Sequence, residues 1–380
     1  MGMVRRAFAL PLLGGLFCTL LAAPAADAAP GVRLLGERIV PNGLSYRGTT
    51  VGGLSSIDHD PRTGGYAMIC DDRSEKQPAR FYTARFPVTE RGIGPVEFTG
   101  TEPLRRPDGK TYPALKDNDP GLPQNEQTID PEELRVDPWT GNYVWSQEGE
   151  RTADTRIDPS LRLADRSGNH LRDLPIPDNE RMRPDRGPRQ NLGIEGIGYA
   201  GFGSLILTSV EAPELQDGPE ANTEHGALTR LTLQSRTGPV LAQFAYPEEK
   251  VFAAPEPSSG FTTTGISSVL AVDPADPTRF LVMERSFVTG VGNKIRIFAI
   301  DTAGATNVWH EPSLGAARHL VPVRKHLLAD LSDLPLSTVD NVEGMTWGPK
   351  LPGGERSLIL VSDNNFSDTQ VTQFIALAVR

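Results

Sequence analysis

Gly193-Ile194-Glu195-Gly196-Ile197 opens a short apolar run whose partner, after a turn, closes at Ser209-Val210-Glu211. The pattern is a strand-like run that starts beside a glycine or an acid, followed by a second that ends on an acid. It recurs upstream at Gly52-Gly53-Leu54-Ser55-Ser56-Ile57 with Cys70-Asp71-Asp72-Arg73, and at Asp130-Pro131-Glu132-Glu133-Leu134 with Trp145-Ser146-Gln147-Glu148. Downstream it recurs at Gly265-Ile266-Ser267-Ser268-Val269 with Met283-Glu284-Arg285-Ser286, and at Asn341-Val342-Glu343-Gly344-Met345 with Val361-Ser362-Asp363-Asn364. Successive openings lie 63 to 78 residues apart. Strand pairs repeating at that interval imply a radial β architecture, in which one set of acids per repeat converges in space.

Each repeat extends outward. Arg80–Phe86 alternates as a half-buried strand and Val96–Leu104 supplies a fourth; Thr155–Asp158 and His170–Pro175 continue the second repeat. Ala227–Leu233 and Val240–Tyr246 continue the third, and Lys294–Ile300 plus a less regular stretch to Leu331 the fourth. The fifth ends with the chain after Gln370–Val379, one strand short, while Val32–Tyr46 is unclaimed. Lending that N-terminal strand to the last repeat closes a ring and removes exposed sheet edges. The expected fold is therefore all-β: a β-propeller of four-stranded blades, five in number, or six if Thr101–Asp130 or Trp309–Ser332 holds a degenerate blade. Asp60-Pro61, Asp137-Pro138 and Asp273-Pro274 mark turns in which Pro fixes φ and Asp bonds the backbone two residues on. The polar stretches Arg105–Gln127 and Pro177–Asn191 are long for connections and could lid one face.

Residues 1–29 read as a secretory signal peptide: Arg5 and Arg6, an apolar run from Ala7 to Ala23, and a small-x-small site at Ala26-Asp27-Ala28. Phe17 before Cys18 argues against a lipid anchor. The expectation is a secreted or periplasmic protein whose residues 30–380 form one domain. Cys70 is then the sole cysteine, so no internal disulfide forms; it suits a small buried hydrophobe better than a nucleophile. The 38 Lys and Arg face 48 Asp and Glu, a formal charge of −10, and no basic run occurs. That excludes the electrostatic footprint of a nucleic-acid binder. With 38 Gly and 33 Pro, long helices are disfavoured.

The innermost strands of a propeller line its channel. The openings then offer Glu133, Glu195 and Glu343, and the closings Asp71, Asp72, Glu148, Glu211, Glu284 and Asp363. Carboxylates crowded in one funnel repel and hold protons, or they bind a hard divalent cation such as Ca²⁺. They also suit hydrogen bonds to amides of neighbouring blades. Asp71, Glu195, Glu343 and Asp363 recur at similar places and are the expected metal ligands. Arg73 and Arg285 follow the closing acids, where a guanidinium can grip a phosphate or carboxylate, or pair with an acid between blades. Glu211 and Glu284 are candidate acid–base groups, with His225 in a loop near Glu211; His59 is expected solvated at the opposite mouth. No G-x-S-x-G elbow, H-E-x-x-H, P-loop or dinucleotide fingerprint occurs. Gly52-Gly53 suits packing better than an oxyanion hole.

As a set these residues resemble the bacterial family called "esterase-like activity of phytase". The likeness runs through Gly52–Ser55, Asp71–Ser74, Ala79–Tyr82, Asn191–Gly196, Glu284–Ser286, Lys294–Ile297, Asn341–Pro349, Leu360–Phe366 and Gln373-Phe374. It implies a secreted phytase-like propeller that hydrolyses phosphoric or carboxylic esters. The chain lacks an Asp-Asp-Pro-Ala-Ile-Trp segment of the calcium-dependent propeller phytases. The expected activity is ester hydrolysis by a monomer on a small-molecule substrate, phosphoesters foremost, with Ca²⁺ on the channel carboxylates. The rival expectations are a non-catalytic binding propeller and a lactonase-like metal propeller.

Overall fold

The computed structural model describes residues 31–380; the predicted signal peptide lies outside them. Among the described residues, five four-stranded antiparallel sheets form the blades, with three two-stranded ribbons in the loops. Blade 1 runs Asp58–Asp60, Gly65–Cys70, Arg80–Arg85 and Glu97–Pro103, and blade 2 runs Pro131–Val136, Tyr143–Gln147, Ser160–Ala164 and His170–Leu174. Blade 3 comprises Ile194–Ala200, Leu205–Val210, Leu228–Ser235 and Val240–Pro247; blade 4 comprises Thr262–Ala271, Arg279–Val288, Gly292–Asp301 and Arg324–Asp330. Blade 5 is Val342–Lys350, Arg356–Ser362 and Thr372–Val379, completed by Val32–Val40 from the other end of the described chain. The first strand of each blade touches that of the next, and the fifth touches the first. The fold is a closed five-bladed β-propeller.

The Asp-Pro turns form as expected: Asp60, Asp137 and Asp273 each accept the amide two residues on, at 2.8–3.0 Å. One outer-strand expectation shifts. The third strand of blade 2 is Ser160–Ala164, not Thr155–Asp158; Arg156-Ile157 instead pairs with Glu150-Arg151 in a small hairpin. Pro159 has no amide to donate, so pairing stops there and resumes one residue later. Arg324–Asp330 is the outermost strand of blade 4, so no sixth blade lies in Trp309–Ser332; Thr101–Asp130 adds only two short 3₁₀ turns after Pro103.

Each gap between blades is filled by apolar side chains from both sides. Ile69, Phe81, Leu134 and Trp145 fill the gap between blades 1 and 2, Val144, Ile194 and Ile206 that between 2 and 3, and Leu207, Val269 and Phe280 that between 3 and 4. Met283, Leu358 and Leu360 join blades 4 and 5, and Met68, Tyr82, Val361 and Phe374 close the circle. Full burial of each such side chain is worth about 1.5–3 kcal/mol, so every blade depends on its two neighbours.

The first hairpin of every blade carries a register irregularity at the same place. Ile194 pairs with Val210 and Gly196 with Ser209, leaving Glu195 as a bulge residue. The same slip leaves Ser267 in blade 4 and Glu343 in blade 5; in blade 2, Glu132 and Glu133 lie between the paired Pro131 and Leu134. Blade 1 has the equivalent excess between the Leu54–Cys70 bridge and Asp58. Counting from the bulge aligns Ser55, Glu132, Glu195, Ser267 and Glu343. Bulges re-aim side chains, and here they turn Glu132, Glu195 and Glu343 into the mouth.

The glycine after two of these acids has a separate reason. A Cβ on Gly344 would lie 2.7 Å from the Ile57 amide nitrogen, and one on Gly196 would lie 3.0 Å from that of Val269. Only glycine lets the innermost strands come this close. Beneath the mouth, the buried Arg135 fills the axis. It donates to the carbonyls of Ile197 (2.7 Å), Met345 (2.8 Å), Val269 (3.0 Å) and Ile57 (3.1 Å), the same register position in the other four blades, and to Glu133 Oε2 (3.1 Å). The axis is filled there by the guanidinium and its acceptors.

Candidate functional site: an acidic mouth at the end of the ring

In each second strand, the residue past the last aligned pair enters the mouth. Its amide donates to the residue that opens the blade: Asp71 to Gly53 (2.9 Å), Glu148 to Asp130 (3.1 Å), Glu211 to Gly193 (2.7 Å) and Asp363 to Asn341 (2.9 Å). In blade 4 the residue paired with Gly265 is Arg285. Four blades therefore present an acid at the closing position and the fifth presents an arginine.

This register corrects two expectations. Glu284 is not the closing acid of blade 4, because neighbours along a strand face opposite ways. It points between blades instead, accepting from Tyr246 Oη at 2.7 Å and Lys325 Nζ at 2.5 Å. In blade 2 the mouth-facing acid is Glu132 rather than Glu133, which is turned down onto Arg135 and Ser268. Asp130, at the opening of blade 2, also brings its side chain into the group. A sequence signal existed: each bulge acid stands two residues before an apolar inner residue, as in Glu132-x-Leu134, Glu195-x-Ile197 and Glu343-x-Met345.

The cavity holds about 830 Å³ and is lined by ten carboxylate residues against Arg73, Lys76 and Arg285. Asp71, Glu195, Glu343 and Asp363 all line it, with Asp130, Glu132 and Glu148. They do not form one tight set. Among the described residues, the groups whose oxygens lie within 4.8 Å of one another are Asp130, Glu132 and Glu148, and Glu148, Glu195 and Glu211. Glu148 belongs to both. Its Oε2 accepts the Gly193 amide at 2.9 Å, while Glu148 Oε1 and Glu211 Oε2 are buried without a hydrogen-bond partner. Asp72 is structural: it accepts the amides of Glu75, Lys76 and Gln77 and pairs with Arg80 at 2.8 Å.

Burial pushes these acids up, and their mutual repulsion adds to it. Asp71 rises to about 6, Glu343 to about 7 and Glu211 to about 8; Asp130, Glu132, Glu195 and Asp363 stand well above the usual carboxylate range. Two guanidinium groups oppose this. Arg73 pairs with Asp130, with Glu150 at 3.5 Å and with the Asn191 side chain. Arg285 pairs with Glu211 at 2.9 Å and Glu343 at 3.4 Å; burial alone would lower it, and Glu211, Glu343 and Glu195 more than reverse that.

The remaining candidates fall elsewhere. His225 is exposed, bonded to Asn222 at 3.0 Å, and does not line the cavity. His59 is half-buried against Tyr66 (ring centroids 5.2 Å apart) rather than solvated, and burial lowers it despite Asp58 and Asp60. Gly53 is a packing residue: its φ is 61°, its amide donates to Asn364 Oδ1 at 3.0 Å, and a Cβ there would meet Asp71 and the Phe366 ring. With that amide engaged, Gly53 offers no free donor to an oxyanion. Of the two long stretches, Pro177–Asn191 contributes to the mouth through Asn191, whereas no residue of Arg105–Gln127 lines it.

A family model described as phytase-like, "esterase-like activity of phytase", matches residues 49–366. The chain belongs to this family. The match covers blades 1 to 4, the first two strands of blade 5 and every mouth residue named above. As a phytase-like propeller the chain is esterase- or phosphoesterase-like in character. Comparison with curated proteins gives no match. Among solved structures the chain is similar to the Dos1 propeller, with a TM-score of 0.34 and 8% identity over 86% of this chain and 68% of that one. Among the described residues no helix is long and apolar enough to cross a membrane.

Proposed function

We propose that this phytase-like propeller is an exported ester hydrolase that acts on phosphoesters with a divalent cation, Ca²⁺ foremost, at the Glu148-centred carboxylates. The observation that carries the reading is the sharing of Glu148 by two three-carboxylate groups. The donors are all oxygen, as a hard cation prefers, and Glu148 Oε1 and Glu211 Oε2 are buried oxygens still lacking a partner. Asp130, Glu132 and Glu148 would hold one cation, and Glu148, Glu195 and Glu211 a second or alternative one. Bound there, a divalent cation supplies Lewis acidity toward an ester oxygen and acidifies a bound water.

The chain's own residues do the rest. Arg73 and Arg285 flank the carboxylates and offer planar forks to the anionic oxygens of a phosphoester. Asp71, Glu343 and Asp363 line the same cavity and are placed to carry the proton that a departing alkoxide needs. Arg135 fills the axis beneath the mouth. Export rests on the signal-peptide pattern of residues 1–29, and N-terminal sequencing of the secreted protein tests it.

The hydrolase reading is tested by assaying purified protein on para-nitrophenyl phosphate, para-nitrophenyl butyrate and phytate, with EDTA or with Ca²⁺. Turnover of the phosphate ester that EDTA removes is the expected result. No turnover on any of the three, with thermal stability unmoved by Ca²⁺, would instead mark a binding propeller.

A further inference from the structure

A second cavity of about 610 Å³ opens beside the acidic one and shares Asn191, Phe261, Thr263 and Arg285 with it. Its charge is opposite. Arg151, Arg189 and Arg285 line it against Glu211, already paired with Arg285, and Glu220. In a chain of formal charge −10, next to a cavity lined by ten acids, this is a local reversal of sign.

Arg151 is the unusual member. It stands in the small hairpin that follows Glu148, and its guanidinium donates only to main-chain carbonyls. These are Pro188, Arg183 and Arg186, each at 2.7 Å. Among the described residues no carboxylate lies within ion-pair distance of it. Burial lowers its pKa, and the like charges of Arg156 and Arg189 lower it further. Arg189 is fixed in the same way, donating to Gly218 O at 2.8 Å and Pro213 O at 3.1 Å, with only Glu220 nearby at 3.4 Å. Three carbonyl bonds hold the Arg151 fork rigid and leave two of its five N–H donors free. A rigid cation without an ion-pair partner, facing a cavity, suits an oxyanion that arrives with a ligand.

We propose that Arg151 and Arg189 form an anion subsite that binds a second anionic group of the substrate, a phosphate, sulfate or carboxylate, while its ester lies in the acidic cavity. The ester half of this statement rests on the hydrolase reading above; the anion site does not. The substrate class it selects is an ester carrying a further negative charge beyond the scissile group, with Phe261 and Thr263 standing where the two cavities meet.

The test is calorimetric titration of sodium sulfate into the EDTA-treated full chain at constant ionic strength. One saturable site per chain is expected. It should weaken about tenfold or more in both Arg151→Gln and Arg189→Gln, the loss of a charge-assisted fork, and persist in Arg73→Gln. Arg189→Gln guards against loss of the loop that Arg151 supports. Absence of saturable binding, or an affinity in both variants equal to that of the native chain, overturns the subsite. In turnover, Arg189→Gln should raise KM about tenfold for para-carboxyphenyl phosphate while leaving para-nitrophenyl phosphate unchanged; equal effects on both would contradict the assignment. Sulfate binding that survives in a chain without ester turnover would sink the hydrolase reading and leave the anion site standing.

Discussion

Arg285 occupies in blade 4 the register position that Glu211 holds in blade 3, and its Nη2 lies 2.9 Å from Glu211 Oε1. A ring of five equivalent positions thus holds four acids and one internal cation. The arginine also reaches Glu343 at 3.4 Å, from the bulge of blade 5, so it braces the ring on both sides. It is the counter-ion of the acidic mouth and, in the proposed reaction, the group that meets the anionic substrate.

Replacing it separates those two roles. Arg285→Gln should lower kcat/KM on para-nitrophenyl phosphate by about 10- to 100-fold, the value of a charged hydrogen bond made to substrate, mainly through KM. The metal-free protein should also lose thermal stability above pH 7, where Glu211 and Glu343 lose their counter-charge. Steady-state kinetics and a melting series check the two effects. An unchanged KM would return Arg285 to a purely structural role.

The pH dependence of stability has a definite sign. Glu211, Glu343 and Asp71 have folded-state values of about 8, 7 and 6, above the ordinary range near 4. The folded state therefore binds more protons than the unfolded one through this interval. Stability is fully present below about pH 4 for these groups and is lost as pH rises toward 8. The EDTA-treated protein should melt at a higher temperature at pH 5 than at pH 8, and Ca²⁺ should narrow or reverse the gap, since it competes with those protons. A metal-free melting temperature that rises from pH 5 to pH 8 would contradict the clustering of these acids.

At the axis, Arg135→Leu should cost about 3–5 kcal/mol in urea unfolding, because it strands Glu133 and four carbonyls in a buried space. A loss under 1 kcal/mol would mean that the blades close without the central guanidinium.

Gly344→Ala tests the bulge geometry. Its Cβ would press 2.7 Å from the Ile57 amide nitrogen and 2.8 Å from the Ser56 carbonyl carbon, both backbone atoms of blade 1. Overpacking of this kind costs about 1–3 kcal/mol. The shift in urea midpoint measures it, and no shift would mean that the strands part freely there.

The fold was legible because the pattern that encodes it is local and repeated. Five Gly- or acid-led strand pairs and three Asp-Pro turns mark the inner hairpins, and the surplus strand at Val32 answers the missing one after Val379. The site was half legible. Its convergence followed from the repeat, but side-chain direction depends on a single-residue register. One extra residue at each bulge turned Glu132 into the mouth and Glu133 beneath it, and strand alternation turned Arg285 inward and Glu284 away. Alignment on the apolar residues Ile57, Leu134, Ile197, Val269 and Met345 would have exposed the first slip. The Arg135 plug left no such trace, because its acceptors are backbone carbonyls from four other blades.

Glu148, shared by both carboxylate groups, should anchor the cation that the proposed ester hydrolysis requires. The direct measurement is the rate on para-nitrophenyl phosphate as Ca²⁺ is returned to EDTA-treated protein, in the native chain and in Glu148→Gln. A saturable recovery in the native chain, at least 100-fold weaker in the variant, is the predicted result. A rate that ignores EDTA, or that recovers equally in both proteins, would contradict it.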